Sequence, residues 1–452
     1  MGNVRTALFN ALIANKLNGE FLLRIEDTDK TRSTEEYTDI LQTDLVWLLL
    51  NWSEGPQVGG DAGPYWQSQR QAIYDEFYKK LEETGYAYPC FCTDPQLAMA
   101  RKVQLASGKP PRYSGVCLHL TQEQIREKIA QGQKPTLRFK VPDKEKIQFT
   151  DLVRGEQIFN SQDIGDFIIR RADGTASFMF CNAIDDSLMG VSHALRGEDH
   201  LTNTPRQVLI LQALNMHIPL YGHIPMIVGS DGSPLSKRHG SKSIKELRED
   251  GYFPLALINY MARLGHYYKK TEFMSLTDLA MNFSIEAIGT APARYDLNQL
   301  LHWQKEAVQH ASDEEIWHWM GHALHSHVIE DKKELFIKTI RTNILFPKDA
   351  LKWANTLFSQ ELDYSQENQE IIQKAGNSFF TLAAKAIHDG FDYKQLCHLL
   401  ESNLNVKGKS LFLPLRVALT NEMTGPEMAP LLILMGKENA IQRFEKARLI
   451  AS

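Results

Sequence analysis

Residues 2–29 read GNVRTALFNALIANKLNGEFLLRIEDTD, and the parsing of this stretch decides the fold. Val4, Leu8, Leu12 and Ile13 recur at helical spacing, so its first half predicts a helix with one face bound for a core. Asn18-Gly19 marks the stop. The run from Phe21 to Ile25 then reads as a buried strand, closed by the acids Glu26, Asp27 and Asp29. A helix feeding a buried strand belongs to a β-α-β unit, in which a phosphate-binding turn joins an earlier strand to the helix. Met1 stands where that turn is expected, so the first strand is expected to be missing.

The remaining chain alternates patterns. Ser33-Thr34-Glu35-Glu36 makes a capping-box start for a helix through Ile40, Leu41, Leu45 and Leu48. QSQRQAIYDEFYKKLEETG predicts an amphipathic helix ending at Gly85. From about 86 to 178, short strands (TLRFKV, IQFTDLV, DFIIRR) stand between polar helices and turns, which predicts an α+β insertion. A strand–helix–strand rhythm returns from SFMFCNAIDD to PMIVGSDG, and beyond about 240 the patterns are helical.

With 452 residues, 43% hydrophobic and 23% charged, the chain has the composition of an ordinary globular protein of about three domains. No apolar run is long enough to span a bilayer. The formal net charge of −5 does not exclude a nucleic-acid partner, because local basic patches suffice. Five cysteines and no secretory layout predict a reducing cytoplasmic setting, where paired cysteines point to metal before disulfide.

Four constellations carry chemistry. Cys90-Phe91-Cys92 and Cys117-Leu118-His119 are two tight pairs that complete a tetrahedral S₃N shell for structural zinc; Cys181 and Cys397 read as packing. The loop GSDGSPLSKRHGS, 229–241, is made mobile by Gly229, Gly232 and Gly240 and offers Ser236, Lys237 and Arg238 to charge on a transferring phosphate. Glu26 sits at the carboxyl end of its strand, where ligands of open parallel sheets bind. In RGEDH, 196–200, Arg196 suits a carboxylate, and Glu198 or Asp199 suits a ribose hydroxyl.

Taken in order, GNVRTALFN, RIEDTD, the Cys/His quartet, NAIDD, RGEDH, NTPRQ, LSKRHG and DGYFPLALINYMARLG make the chain resemble a bacterial-type glutamyl-tRNA synthetase, a class I aminoacyl-tRNA synthetase. The resemblance implies a Rossmann-type α/β catalytic domain, its first half over 1–68 and its second over 179–240. An acceptor-binding α+β insertion with the zinc site would occupy 69–178. A stem-contact region over 241–300 and an all-α anticodon-binding region over 301–452 would follow. It implies ATP-dependent activation of L-glutamate and transfer to the terminal adenosine of tRNA(Glu), with tRNA(Gln) left open, magnesium accompanying ATP, and a cytoplasmic monomer free of membrane. By the same resemblance Lys237 is the lysine of the KMSKS-type loop. Glu26, Phe178, Asn182 and Arg196 would hold glutamate, and Gly2, Asn3, Asp199 and Ile227 would flank ATP. A glutaminyl enzyme is disfavoured, since its anticodon part is β-barrel and 301–452 reads as helical.

The sequence departs from the family pattern at three places. Pro234 replaces a loop lysine, and Phe178 replaces a tyrosine near glutamate. The HIGH signature reduces to Gly2-Asn3, without its first histidine or the strand before it. A chain truncated through that motif is expected to show near-background adenylate formation. The alternative is a catalytically inactive tRNA-binding or regulatory paralogue.

Overall fold

The computed structural model describes every residue except 29–33, 109–110 and 360–361, together with the side chain of Lys237. Asp29, one of the acids that close the run, and Ser33, of the capping-box start, therefore lie outside the described residues. The first helix, Gly2–Lys16, buries Leu8, Leu12 and Ile13 as its spacing predicts and Phe9 beside them, while Val4 is only half-buried. It ends in a Schellman turn: Asn18 takes a positive φ of 50°, and Gly19 N–H donates to Ala14 O at 2.8 Å. The left-handed residue is thus the asparagine, whose short polar side chain tolerates that geometry.

The run Phe21 to Ile25 is extended but forms no continuous ladder. It makes isolated parallel bridges, Leu22 with Glu54 and Ile25 with Trp66, through Leu23 N–H to Glu54 O and Ile25 N–H to Tyr65 O. The expected strand is therefore a set of bridges stitched to the turn-rich 53–67 segment. Thr34 caps the helix Glu35–Trp47, its hydroxyl accepting from Tyr37 N–H at 3.4 Å.

In the 69–178 stretch, β1 (Ala87–Cys90), β2 (Thr136–Phe139) and β5 (Phe167–Arg170) make an antiparallel sheet in the order β1-β2-β5, while β3 (Lys146–Asp151) and β4 (Gly155–Asn160) form a separate hairpin. Phe139, Ile169, Tyr74 and Tyr78 share one core with Phe180, Ile184 and Ile210, so this α+β part and the flanking segments are buried together. The run SFMFCNAIDD, expected to open a strand–helix–strand rhythm, is the buried helix Phe178–Leu188. Its apolar residues are continuous rather than alternating, a pattern that helix and buried strand share. Then β6 (His193–Gly197) pairs in parallel with β7 (Leu220–Ile224), joined by the helix Thr204–Ala213. Asn10 of the first helix grips the other edge of β6, its amide bonding both Leu195 O and Leu195 N–H. A further parallel pair joins β8 (Ile227–Val228) to β9 (Ala293–Arg294).

Two compact units result, one of 1–245 with 258–297 and one of 246–257 with 298–452, so residues 241–300 contribute to both. The second unit carries no strand among its described residues. Its core joins Phe336, Ile337, Phe379, Phe380, Leu415 and Phe444. No described helix is long and apolar enough to cross a membrane.

Candidate active site

The first unit encloses a cavity of about 1030 Å³. Gly2, Asn3, Glu26, Phe178, Asn182, Arg196, Asp199 and Ile227 all line it, as do Pro234, Leu235 and Ser241 of the 229–241 loop. Residues scattered over more than two hundred positions therefore converge on one hollow.

A buried charge network shapes one wall. Asp186 sits between two guanidinium groups: Arg24 Nη2 donates to its Oδ1 at 2.7 Å, and Arg196 Nη2 to its Oδ2 at 2.5 Å. Arg196 also donates to Gln207 Oε1 and lies 4.8 Å from the Tyr221 ring centroid. Arg24 and Gln67 both donate to Asn182 Oδ1, so the amide N–H groups of Asn182 are the donors left for a ligand. One residue along the helix, Asp185 accepts from Arg70 Nε, Tyr74 Oη and Gln67 Nε2 with no exposure to solvent. Burial works against the charge on Arg24, but Asp186, Glu26 and Asp185 outweigh it and hold its pKa above the ordinary value. Burial, then Asp185, pushes the Tyr74 phenol up. Arg24, Gln67, Arg70, Asp185 and Asp186 were not among the sequence candidates. The available signal was the Asp-Asp doublet inside an apolar helix, since carboxylates are rarely buried without cations.

Several expectations change. Glu198 is not free for a ribose: its Oε1 accepts Met226 N–H at 2.8 Å and its Oε2 is paired with Arg154. Asp199, with a side chain 62% exposed, is the carboxylate left facing the cavity. The Phe178 ring lies 5.4 Å from that of His200.

The 229–241 loop is folded on itself rather than loose. His239 Nδ1 accepts from Ser236 N–H at 3.1 Å, and its Nε2 lies 3.2 Å from both Ser233 Oγ and Asp231 Oδ2. A Cβ on Gly229 would stand 2.6 Å from the His239 ring, so that glycine serves close approach. Bonds from Ser233 and His239 hold the Asp231 carboxyl well below the usual range. Arg238 turns back to Ser233 Oγ at 2.6 Å, and neither it nor Ser236 is among the residues that line the cavity.

The cysteines gather elsewhere in the same unit. The sulfurs of Cys90, Cys92 and Cys117 lie within 4.8 Å of one another, with Cys92 and Cys117 3.7 Å apart. Zinc–sulfur bonds of about 2.3 Å at tetrahedral angles require an S–S edge of about 3.8 Å, so the three fit a zinc ion. His119 is exposed and stands outside this group, contrary to expectation. The Tyr113 hydroxyl faces the sulfurs instead, 3.4 Å from Cys90 and 3.5 Å from Cys92. The pair spacing was a sound signal for the thiols, but a tight turn sends residues two apart in different directions. Burial opposes ionisation of Cys90, yet hydrogen bonds from Tyr113 and Arg138 bring it down to about 7. Cys92, half-buried beside it, is pushed up to about 11 by burial and by the neighbouring Cys90 and Cys117.

Residues 1–302 match the family model described as tRNA synthetases class I (E and Q), catalytic domain, and 304–448 match that of an anticodon binding domain. The chain belongs to the class I (E and Q) tRNA synthetase family. Among curated members, glutamate–tRNA ligase 2 of Nitrosococcus oceani is 54% identical over 446 residues, covering 98% of this chain and 94% of that one. Its counterpart in Coxiella burnetii is 53% identical, covering 99% and 96%. Among solved synthetases, a glutamate tRNA ligase from Elizabethkingia meningosepticum in complex with its amino acid superposes with a TM-score of 0.91 at 27% identity, over 100% of this chain and 97% of that one. Such coverage lends no support to the expectation of truncation through the HIGH-type motif. A Rossmann-type catalytic part followed by a helical anticodon-binding part is the architecture of this synthetase.

Proposed function

We propose that this chain is a glutamate–tRNA ligase, which joins L-glutamate to ATP as glutamyl-adenylate, releases pyrophosphate, and passes the glutamyl group to the 3′-terminal adenosine of tRNA(Glu). The observation that carries this reading is the convergence of Arg196, Asn182 and Glu26 with Asp199 and Ile227 on one cavity. The first three supply a guanidinium, amide donors and a carboxylate, which match the two carboxylates and the ammonium of glutamate. Asp199 and the backbone at Ile227 suit the ribose and base of ATP, with Gly2 and Asn3 flanking it at the start of the first helix.

Attack of a glutamate carboxylate oxygen on the α-phosphorus forms the mixed anhydride and expels pyrophosphate. The attacking and leaving oxygens lie in line, so the protein accelerates the step by positioning and by stabilising charge. Lys237, the lysine of the KMSKS-type loop by resemblance, would supply positive charge for that purpose from a loop whose Pro234 and Leu235 line the cavity, whereas Ser236 and Arg238 do not. Magnesium accompanying ATP would neutralise phosphate charge. Zinc would be held by Cys90, Cys92 and Cys117 and would tie β1 to the segment carrying Cys117; none of the three lines the cavity, which favours a structural role for the ion. The enzyme acts as a cytoplasmic monomer, and tRNA(Gln) is a second candidate acceptor.

The test is incorporation of labelled glutamate into purified tRNA(Glu), with pyrophosphate exchange measured alongside. The expected result is glutamate-dependent, tRNA-dependent incorporation that fails with glutamine. Tight tRNA binding without any incorporation would replace this reading with the inactive paralogue.

A further inference from the structure

The turn after β3 reaches across to the cavity through a chain of buried polar contacts. Asp151, which ends β3, is 2% exposed and accepts on Oδ1 from Val153 N–H at 3.0 Å, Arg154 N–H at 2.8 Å and His223 N–H at 3.1 Å. Its Oδ2 meets His223 Nδ1 at 2.5 Å, and His223 Nε2 lies 3.0 Å from Thr204 Oγ1. Thr204 and His223 are fully buried. Leu152 N–H donates to Tyr221 O at 2.8 Å, and a Cβ at Gly222 would stand 3.3 Å from Leu152 Cβ and 3.4 Å from Val153 Cγ2, so the turn sits flush on β7. These contacts leave residues 151–154 one way to lie.

From that fixed turn the Arg154 guanidinium extends to Glu198, with its Nε 3.5 Å from His223 O. Glu198 in turn accepts Met226 N–H at 2.8 Å. Met226 and Ile227 line the cavity, and the strand they begin is tied on its other side by Ala293 N–H to Met226 O at 3.0 Å. Arg5 bonds Pro225 O, one residue earlier. Burial holds the Arg5 pKa down to about 10, and the Glu198 charge partly restores it.

We propose that Arg154 is a positioning residue for ATP: by gripping Glu198 it fixes the backbone at Met226 and Ile227 against which the nucleotide lies. The proposal rests on the assignment of Ile227 and Asp199 to the ATP side of the cavity. With Arg154 gone, the carboxylate of Glu198, about a quarter exposed, is free to turn toward water and release Met226. A lysine restores charge but not the planar guanidinium that spans Glu198 and His223 O. Asn182 and Asp186 lie outside these contacts, and Arg196, which overlies the Tyr221 ring, is held by Asp186 and Gln207 rather than by Arg154, so glutamate affinity is expected to change little.

The test uses the full chain and measures affinity for ATP and for glutamate separately, with amide hydrogen exchange at Met226 to Val228. Arg154→Ala is expected to weaken ATP binding about tenfold and to speed that exchange, with glutamate affinity within twofold of the starting value. Arg154→Lys should recover part of the loss. Glu198→Gln should show the same pattern as Arg154→Ala, and combining them should add little. Unchanged ATP affinity in Arg154→Ala, or an equal loss for glutamate, overturns the proposal. Asp199→Ala separates the two levels: if it also leaves ATP affinity unchanged, the nucleotide lies elsewhere, whereas a loss there with a normal Arg154→Ala removes only the role of Arg154.

Discussion

Replacing Asp186 by asparagine sets two effects against each other. The carboxylate holds Arg24 and Arg196 through separate oxygens, and both guanidinium groups are mostly buried, with side-chain exposures of 10% and 15%. An amide keeps one acceptor and turns an N–H₂ toward the other arginine. The variant therefore loses one charge-assisted hydrogen bond and weakens the second, at about 1.5–3 kcal/mol for the lost bond. Against this, neutralising Asp186 leaves the wall one unit more positive, which on charge alone would tighten binding of a dicarboxylate. Arg196 can hold a carboxylate in two-pronged fashion only while its plane is fixed, and Gln207 and the Tyr221 ring are then its remaining supports. Orientation is expected to win. The assay is the glutamate KM in pyrophosphate exchange with tRNA present, which should rise by about ten- to a hundredfold while the ATP KM stays within about twofold. A glutamate KM that falls would show that net charge governs recognition and that the Asp186 clamp does not.

Asp185→Ala leaves the Arg70 cation buried without its carboxylate, and the catalytic unit should lose about 3–5 kcal/mol of stability in denaturant titration. Elemental analysis should find about one zinc per chain, lost on changing Cys90, Cys92 or Cys117 to serine and retained in His119→Ala. His266 is 5% exposed and held by burial down to about 4, with its Nε2 against Ser284. Its folded pKa lies below the unfolded value of about 6.5, so the unfolded chain binds the extra proton first. Stability should be fully present above about pH 6.5 and should fall, by about 3 kcal/mol, as pH drops toward 4. A His266→Gln variant should lack that slope in pH-dependent unfolding.

The order of parts was legible because it rests on local periodicity. The 3.6-residue spacing of Leu8, Leu12 and the later helices survives in the structure. The cavity-lining set was legible through motifs, each short enough for local sequence to signal it. What was hidden depends on contacts between distant segments. Nothing near Glu198 announces that Arg154, 44 residues earlier, occupies it. Nothing near His119 says that the turn at 115–118 sends its ring away while Tyr113 comes in. The run at 178–188 was ambiguous for a different reason: a segment buried on every side erases the alternation by which helix and strand are told apart.

The neighbouring acids of the helix Phe178–Leu188 point about 100° apart around its axis, as consecutive helical residues must. One is spent wholly on keeping the domain folded and the other on aiming a ligand-facing cation. Swapping either for glutamate would lengthen the same side chain by one carbon, yet one variant would show its cost first as reduced yield from cells and the other as a raised glutamate KM. A single helical step thus divides the heritable variation open to this enzyme into changes that selection sees as abundance and changes that it sees as catalytic efficiency.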